Sequence, residues 1–139
     1  MRSSFLLSAL LSLSCLLGLP VHADGPTSLQ IIDQQTGSGA VARHGSEVEV
    51  NYNGWLYDES VPDHHGAKVD SSDDRGEPIR FTLGQGSVIA SWDKGIKGMH
   101  VGGKRTLLIP ARLGYGGRRV GAVPPDSALV FDIELISVH

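Results

Sequence analysis

From Glu47 to Tyr57 the chain alternates between polar and apolar positions. Val48, Val50 and Tyr52 fall on one face, and Glu47, Glu49, Asn51 and Asn53 on the other. A period of two is that of a strand with one buried face. Asn53-Gly54, inside this run, is open to either a turn or a bulge. The same period places Ile79, Phe81 and Leu83 of "IRFTLG" on one side. It also runs through Leu129, Phe131, Ile133 and Leu135 near the end of the sequence. "KRTLLIP" reads as a strand stopped by Pro110, and "LQIIDQQ" as a weaker one.

One segment changes period. Ile89, Trp92, Ile96 and Met99 recur at spacings of three and four, as on one face of a helix. Ser87 is placed to cap its start and Gly98 its end. Gly95 inside it costs about 1 kcal/mol against Ala, so the helix is expected to be short. "DESVPDHHGA", with Pro62 and Gly66, and "DSSDDRGEP" read as polar loops. "ARLGYGGRRVGAVPP" is a glycine-rich loop of about fifteen residues, a length that in a compact domain usually carries function. The pattern predicts an α+β domain of five or six antiparallel strands wrapped around one short helix.

The full sequence has 139 residues, which suggests one domain. Residues 1–23 carry Arg2, then an apolar run from Phe5 to Leu19, then Pro20 and Val21-His22-Ala23. That order is expected of a secretory signal peptide cleaved after Ala23, leaving 24–139 as the functional domain. The apolar run is short of the roughly 20 residues of a membrane helix, so no membrane anchor is expected after cleavage. The single cysteine, Cys15, lies in that run, so the exported chain must hold its fold without disulfides. The formal net charge of −3 argues against a nucleic-acid partner. Lys104-Arg105 and Arg118-Arg119 read as solvated surface pairs.

The chemistry-bearing patterns narrow quickly. No serine lies in a nucleophile elbow. Asp63-His64-His65 is the only cluster with metal-ligating side chains, but neighbours on an extended chain point to opposite faces, so no metal is expected. "GQGSVI" lacks the Lys-Ser/Thr pair of a phosphate loop. What remains is a set of aromatic and β-branched residues near loops: Tyr52, Val69, Ile79, Val88, Ile89, Trp92, Tyr115 and Phe131. Trp92 follows a glycine-rich turn, and Tyr115 stands in the long loop with little else to bury it.

The motifs "VNYNGWL", "DSSDDRGEPIRFTLG", "VIASWDKGIKGMHVGGKRTLLIPARLGYG" and "VPPDSALVFDIEL" occur in this order. Over roughly residues 30–138 the chain resembles the FKBP-type peptidyl-prolyl cis-trans isomerases. The resemblance implies an apolar pocket between sheet and helix, and an isomerase (rotamase) that needs no cofactor. It implies Trp92 as the floor under a proline ring, with Tyr52, Val88, Ile89 and Phe131 as walls. The Ile89 N–H would hold a substrate carbonyl. Asp70 and Tyr115 would make polar contacts at the rim, Arg75 would brace Asp70 and Tyr52, and Ala122 and Val123 would fill the tip of the long loop.

Two positions depart from the family's commonest pattern. Val69 stands where many members carry Phe, and Ile79 also replaces an aromatic. Val in place of Phe forfeits contact worth on the order of 1 kcal/mol, equivalent to a roughly two- to tenfold loss of rate if half or more acts in the transition state. The stretch from Gly54 to Val69 is longer than in minimal members, and "DESVPDHHG" is expected to form an extra flap beside the pocket. The reading is a periplasmic or secreted isomerase acting on proline-containing polypeptides during folding, with macrolides as candidate pocket inhibitors. The alternative is a proline-binding chaperone or binding module with little turnover. No long helical arm lies between Ala23 and Leu29, so a monomer is expected.

Overall fold

In a computed structural model the described residues are 25–139; the expected signal peptide lies outside them. Six strands form one antiparallel sheet: β1 (Gln30–Gln35), β2 (Glu47–Tyr57), β3 (His65–Ser71), β4 (Ile79–Thr82), β5 (Lys104–Ile109) and β6 (Leu129–Val138). The order across the sheet is β1-β5-β6-β2-β3, with β4 paired to the first half of β2. Two short helices, α1 (Ser72–Arg75) and α2 (Ala90–Gly95), and a 3-10 turn (Ala111–Leu113) complete the fold.

The period-two reading of β2 holds along most of its length. Val48, Val50, Tyr52 and Gly54 are buried while the residues between them are half-exposed. Asn53-Gly54 is not a turn. The β2–β3 register slips there: Gly54 pairs with Asp70 and Trp55 with Lys68, so Val69 is the extra residue of a bulge. Gly54 is also where Phe131 crosses β2, its ring occupying the space a Cβ would need.

The inner face of the sheet is apolar, and α2 covers it. Trp92, Ile96 and Met99 are at most 4% exposed and pack with Val48, Val50, Leu107, Ile109, Ile133 and Leu135. The start of α2 differs from expectation. Its N-cap is Ile89, with no side-chain cap. Ser87 stays exposed, and Asp93 reaches back to accept from the Gly84 and Gly86 N–H groups at 2.8 and 3.0 Å. The helix ends at Gly95, earlier than expected; Gly98 takes φ 91° in the following turn and donates to the Ala42 carbonyl. Arg105 is not solvated surface. Its side chain, 13% exposed, binds Asp33 of β1 at 2.7 Å and the carbonyls of Gly95 and Lys97. It therefore satisfies the orphan carbonyls at the end of α2 while fixing the edge strand.

"DSSDDRG" is not a loop but the end of β3 followed by a capped helical turn. Ser71 Oγ accepts from the N–H groups of Asp73 and Asp74, and Gly76 closes the turn at φ 85°. Strand β3 was missed by period because its bulge and polar content blur the alternation. The 58–67 segment is not a flap beside the pocket either. Trp55 pairs with Val130, on the face opposite Phe131 and Trp92. An exposed indole there would cost burial energy, and the His65 ring stacks on it at 3.6 Å and 5°. Tyr57 and His64 stack likewise at 4.5 Å. The segment thus covers the part of the outer face where Val130 is fully buried.

Gly95 has a role that propensity alone hides. A Cβ at this position would lie 2.7 Å from both methyl carbons of Leu107, which is itself fully buried. Gly95→Ala, which should stabilise an isolated helix, is expected to destabilise this protein by about 1–3 kcal/mol through overpacking. Urea unfolding of the two proteins checks this; a higher midpoint for the variant would reject it.

Candidate functional site

Where α2 meets the open end of the sheet, the apolar core stops short of solvent and leaves a cavity of about 480 Å³. Its base is Trp92. The indole sits edge-on to Tyr52 (centroids 4.9 Å apart, 74°) and to Phe131 (5.3 Å, 88°), with Phe81 behind it at 5.9 Å. Such edge-to-face pairs add about 0.5–1.5 kcal/mol each beyond burial. The Trp92 Nε1–H is buried without an acceptor among the described residues. The ring is therefore placed for its apolar surface, at a polar cost.

Of the sequence-derived candidates, the fold brings Tyr52, Asp70, Arg75, Ile79, Val88, Ile89, Trp92, Tyr115 and Phe131 to this one cavity. Val69 packs on the core cluster but does not line the cavity. Val123 is buried in the core, and Ala122 is exposed away from the cavity. The walls also include Gly86, Ser87, Gly114 and Arg118, which pattern reasoning left out. Arg118 follows Tyr115 by three positions in the same loop, the one sequence signal that could have found it. Ile89, the N-cap of α2, lines the cavity, and its N–H donates to no group among the described residues.

One side of the mouth is a polar brace. The Tyr52 hydroxyl donates to Asp70 Oδ2 at 2.8 Å, and Arg75 donates to both Asp70 oxygens at 3.0 Å and to the Tyr52 hydroxyl. The Ser71 N–H adds a third donor to Asp70 at 2.8 Å. The turn α1 carries Arg75 back over Asp70, and Ser72 ties that turn to β2 by accepting from the Tyr52 N–H at 2.8 Å. Partial burial alone would raise the Asp70 carboxyl; the hydrogen bonds from Arg75, Tyr52 and Ser71 outweigh it and hold the group below its usual range. Burial and the Asp70 carboxylate push the Tyr52 phenol up to about 12. The brace is thus a carboxylate held by a neutral phenol and a guanidinium.

The described residues contain no group of three or more His, Cys, Asp or Glu side chains placed to hold a metal ion. The site thus combines a ring-sized apolar base, a backbone donor without a partner among the described residues, and a polar rim. Comparison with known proteins makes the class specific. Residues 39–136 match the sequence profile of the FKBP-type peptidyl-prolyl cis-trans isomerases. The chain is 48% identical over 113 residues to the FK506-binding protein of Neisseria meningitidis serogroup A, covering 81% of this chain and 97% of that one. It is 46% identical over 112 residues to FK506-binding protein 1A of Neurospora crassa, covering 79% and 88%. Among solved structures, AtFKBP13 superposes with a TM-score of 0.71 at 38% identity, covering 83% of this chain and 96% of that one. FkpA from Escherichia coli gives 0.69 at 38% identity; 84% of this chain spans 52% of that one. The chain belongs to the FKBP-type peptidyl-prolyl cis-trans isomerases. It is accordingly an enzyme that accelerates rotation about X–Pro peptide bonds.

The brace generates a pH dependence. A carboxyl held below its ordinary value contributes stability that is present above about pH 3.9 and is lost as pH falls through the lower folded value. Tyr52, raised to about 12, keeps its proton across the neutral and mildly alkaline range. Thermal midpoints should therefore hold from pH 7 to about 5 and fall below pH 4. Asp70→Asn should lower the midpoint at pH 7 and lose part of the acid dependence. An unchanged midpoint at pH 7 would show that the brace adds nothing to stability.

Proposed function

We propose that this isomerase is exported and acts on proline-containing segments of folding polypeptides in the periplasm or outside the cell. Support for export is the order of charge, apolar run and small residues in 1–23. Expression of the full chain in a bacterium, followed by intact mass, tests it: the expected product begins at Asp24, and a product retaining Met1 in the cytoplasmic fraction would reject it.

The cavity carries the mechanistic reading. The uncatalysed barrier is about 18–20 kcal/mol because the amide is conjugated, and rotation can limit folding. Twisting breaks that conjugation and reduces the charge on the carbonyl oxygen. The apolar base of the cavity therefore disfavours the planar amide relative to the twisted one, which is selective binding of the transition state. Each tenfold in rate requires about 1.4 kcal/mol. In this reading the proline ring lies on Trp92 between Tyr52, Phe131, Val88 and Ile89. The Ile89 N–H, without an internal partner, accepts the task of holding a substrate carbonyl. Tyr115 and Asp70 face the amide from the rim, and Arg75 fixes Asp70. Val123 supports the long loop from within the core, and Ala122 is the exposed residue at its tip. No bond is broken, so the chemistry asks for no nucleophile.

The free Ile89 donor at an apolar wall is the observation that carries this reading. Cis-to-trans exchange of a short Leu-Pro or Phe-Pro peptide with micromolar protein is the test. A clear rate increase is expected, and none would sink the pocket mechanism. Macrolides that bind FKBP proteins are the proposed inhibitors. Titration of Trp92 fluorescence should report their entry, using Trp55→Phe to remove the second indole, which stacks on His65 on the other face.

Val69 is the bulged residue of β3, half-buried beside the cavity without lining it. A phenyl ring there would reach further toward the cavity than the valine side chain does. Val69→Phe is expected to raise the exchange rate about two- to tenfold; an unchanged or lower rate would remove Val69 from the account of activity.

A further inference from the structure

The loop that carries Tyr115 is held at several points. Gly116 donates to the Ala111 carbonyl at 2.8 Å, Asp126 to the Gly116 carbonyl at 2.7 Å, and Arg118 to the Tyr115 carbonyl at 3.2 Å. Val120 and Val123 exchange backbone hydrogen bonds at its tip. The backbone of Arg118 is thus fixed, and its exposed side chain lines the cavity. The cavity lining holds three ionised groups: Asp70, Arg75 and Arg118. Asp70 and Arg75 satisfy each other at 3.0 Å. Arg118 has no carboxylate within 4.0 Å among the described residues. Asp126, the other acidic group facing this loop, spends its backbone N–H on Gly116, and its Oδ1 lies 3.7 Å from where a Cβ on Gly117 would stand. The rim is therefore net positive on a chain whose formal charge is −3.

We infer that Arg118 is a specificity-determining residue that favours X–Pro substrates with an aspartate or glutamate flanking the proline. The inference rests on the assignment of this cavity as the proline site. Consecutive Cα atoms are 3.8 Å apart, so a residue next to a proline seated on Trp92 keeps its side chain at the rim, within reach of a long guanidinium. Arg118 also acts on the Tyr115 hydroxyl: burial raises that phenol first, Asp70 adds to the rise, and Arg118 and Arg75 oppose it. Both side chains line the same cavity. A carboxylate at the mouth meets an unpaired guanidinium, whereas a lysine meets a like charge. The adjacent Arg119 extends the same field outward.

The test is exchange of matched peptides carrying Glu, Gln or Lys immediately before proline, and a second set carrying them immediately after. A partly exposed ion pair predicts kcat/KM about two- to fivefold higher for Glu than for Lys in at least one set, shrinking as salt is raised from 0.02 to about 0.5 M. Arg118→Gln should bring the Glu-to-Lys ratio close to one, and Arg118→Glu should invert it. Equal rates in both sets, or a Glu preference that survives Arg118→Gln, would overturn the inference while leaving the proline site intact. Absence of turnover for every peptide would instead overturn the site assignment, and this inference with it.

Discussion

Tyr52 imposes the constraint to which the rest of the site conforms. Its ring belongs to the core, 2% exposed and packed edge-on against Trp92. Its hydroxyl points to the cavity mouth and cannot be left without partners, since an unsatisfied buried polar group costs about 1–3 kcal/mol. Asp70 answers that need, and a guanidinium beside it helps to offset the cost of its partial burial. Arg75 supplies it only because Ser71 caps a helical turn that brings the chain back five residues later. The bulge at Val69 turns consecutive residues of β3 toward the core side, so that Asp70 meets Tyr52 while Val69 packs beside it. Fold and rim are therefore one hydrogen-bonded assembly anchored on a single phenol.

The same economy governs the apolar side. A sheet of six strands has one inner face to cover and a six-residue helix to cover it with. That is possible because two glycines allow close approach: Gly54 makes room for the Phe131 ring on β2, and Gly95 lets α2 settle against Leu107 of β5. Arg105 then closes the end of that short helix with two carbonyl contacts. The cavity is what remains where this cover runs out, which explains why its base is aromatic core rather than loop.

Much of this was legible in the sequence where the signal was local and periodic. Strands β2 and β6 announce themselves by alternation, and α2 by its spacing of three and four. The cavity residues were legible through family motifs, which mark Tyr52, Asp70, Arg75, Trp92 and Tyr115 in one pattern. What escaped depends on partners distant in sequence. The charges of "DSSDDRG" look solvated until Ser71, Ser72 and Arg75 are seen to bond with β2 and β3. Arg105 looks like surface until the end of α2 and β1 arrive beside it. Ser87 has the right type for a cap, but Asp93, further along, secures the turn instead. Arg118 resembles any loop arginine until the fold sets it at the cavity edge.

The 58–67 segment shows a different division of labour. It lies on the outer face, over Trp55 and beside Asp132, with the full thickness of the sheet between it and Trp92. The sheet acts as a partition: the cavity opens on its front, while the 58–67 segment lies on its back. A tether, dye or affinity handle grafted into that segment would thus hold the molecule from behind, with the mouth of the cavity left facing solution.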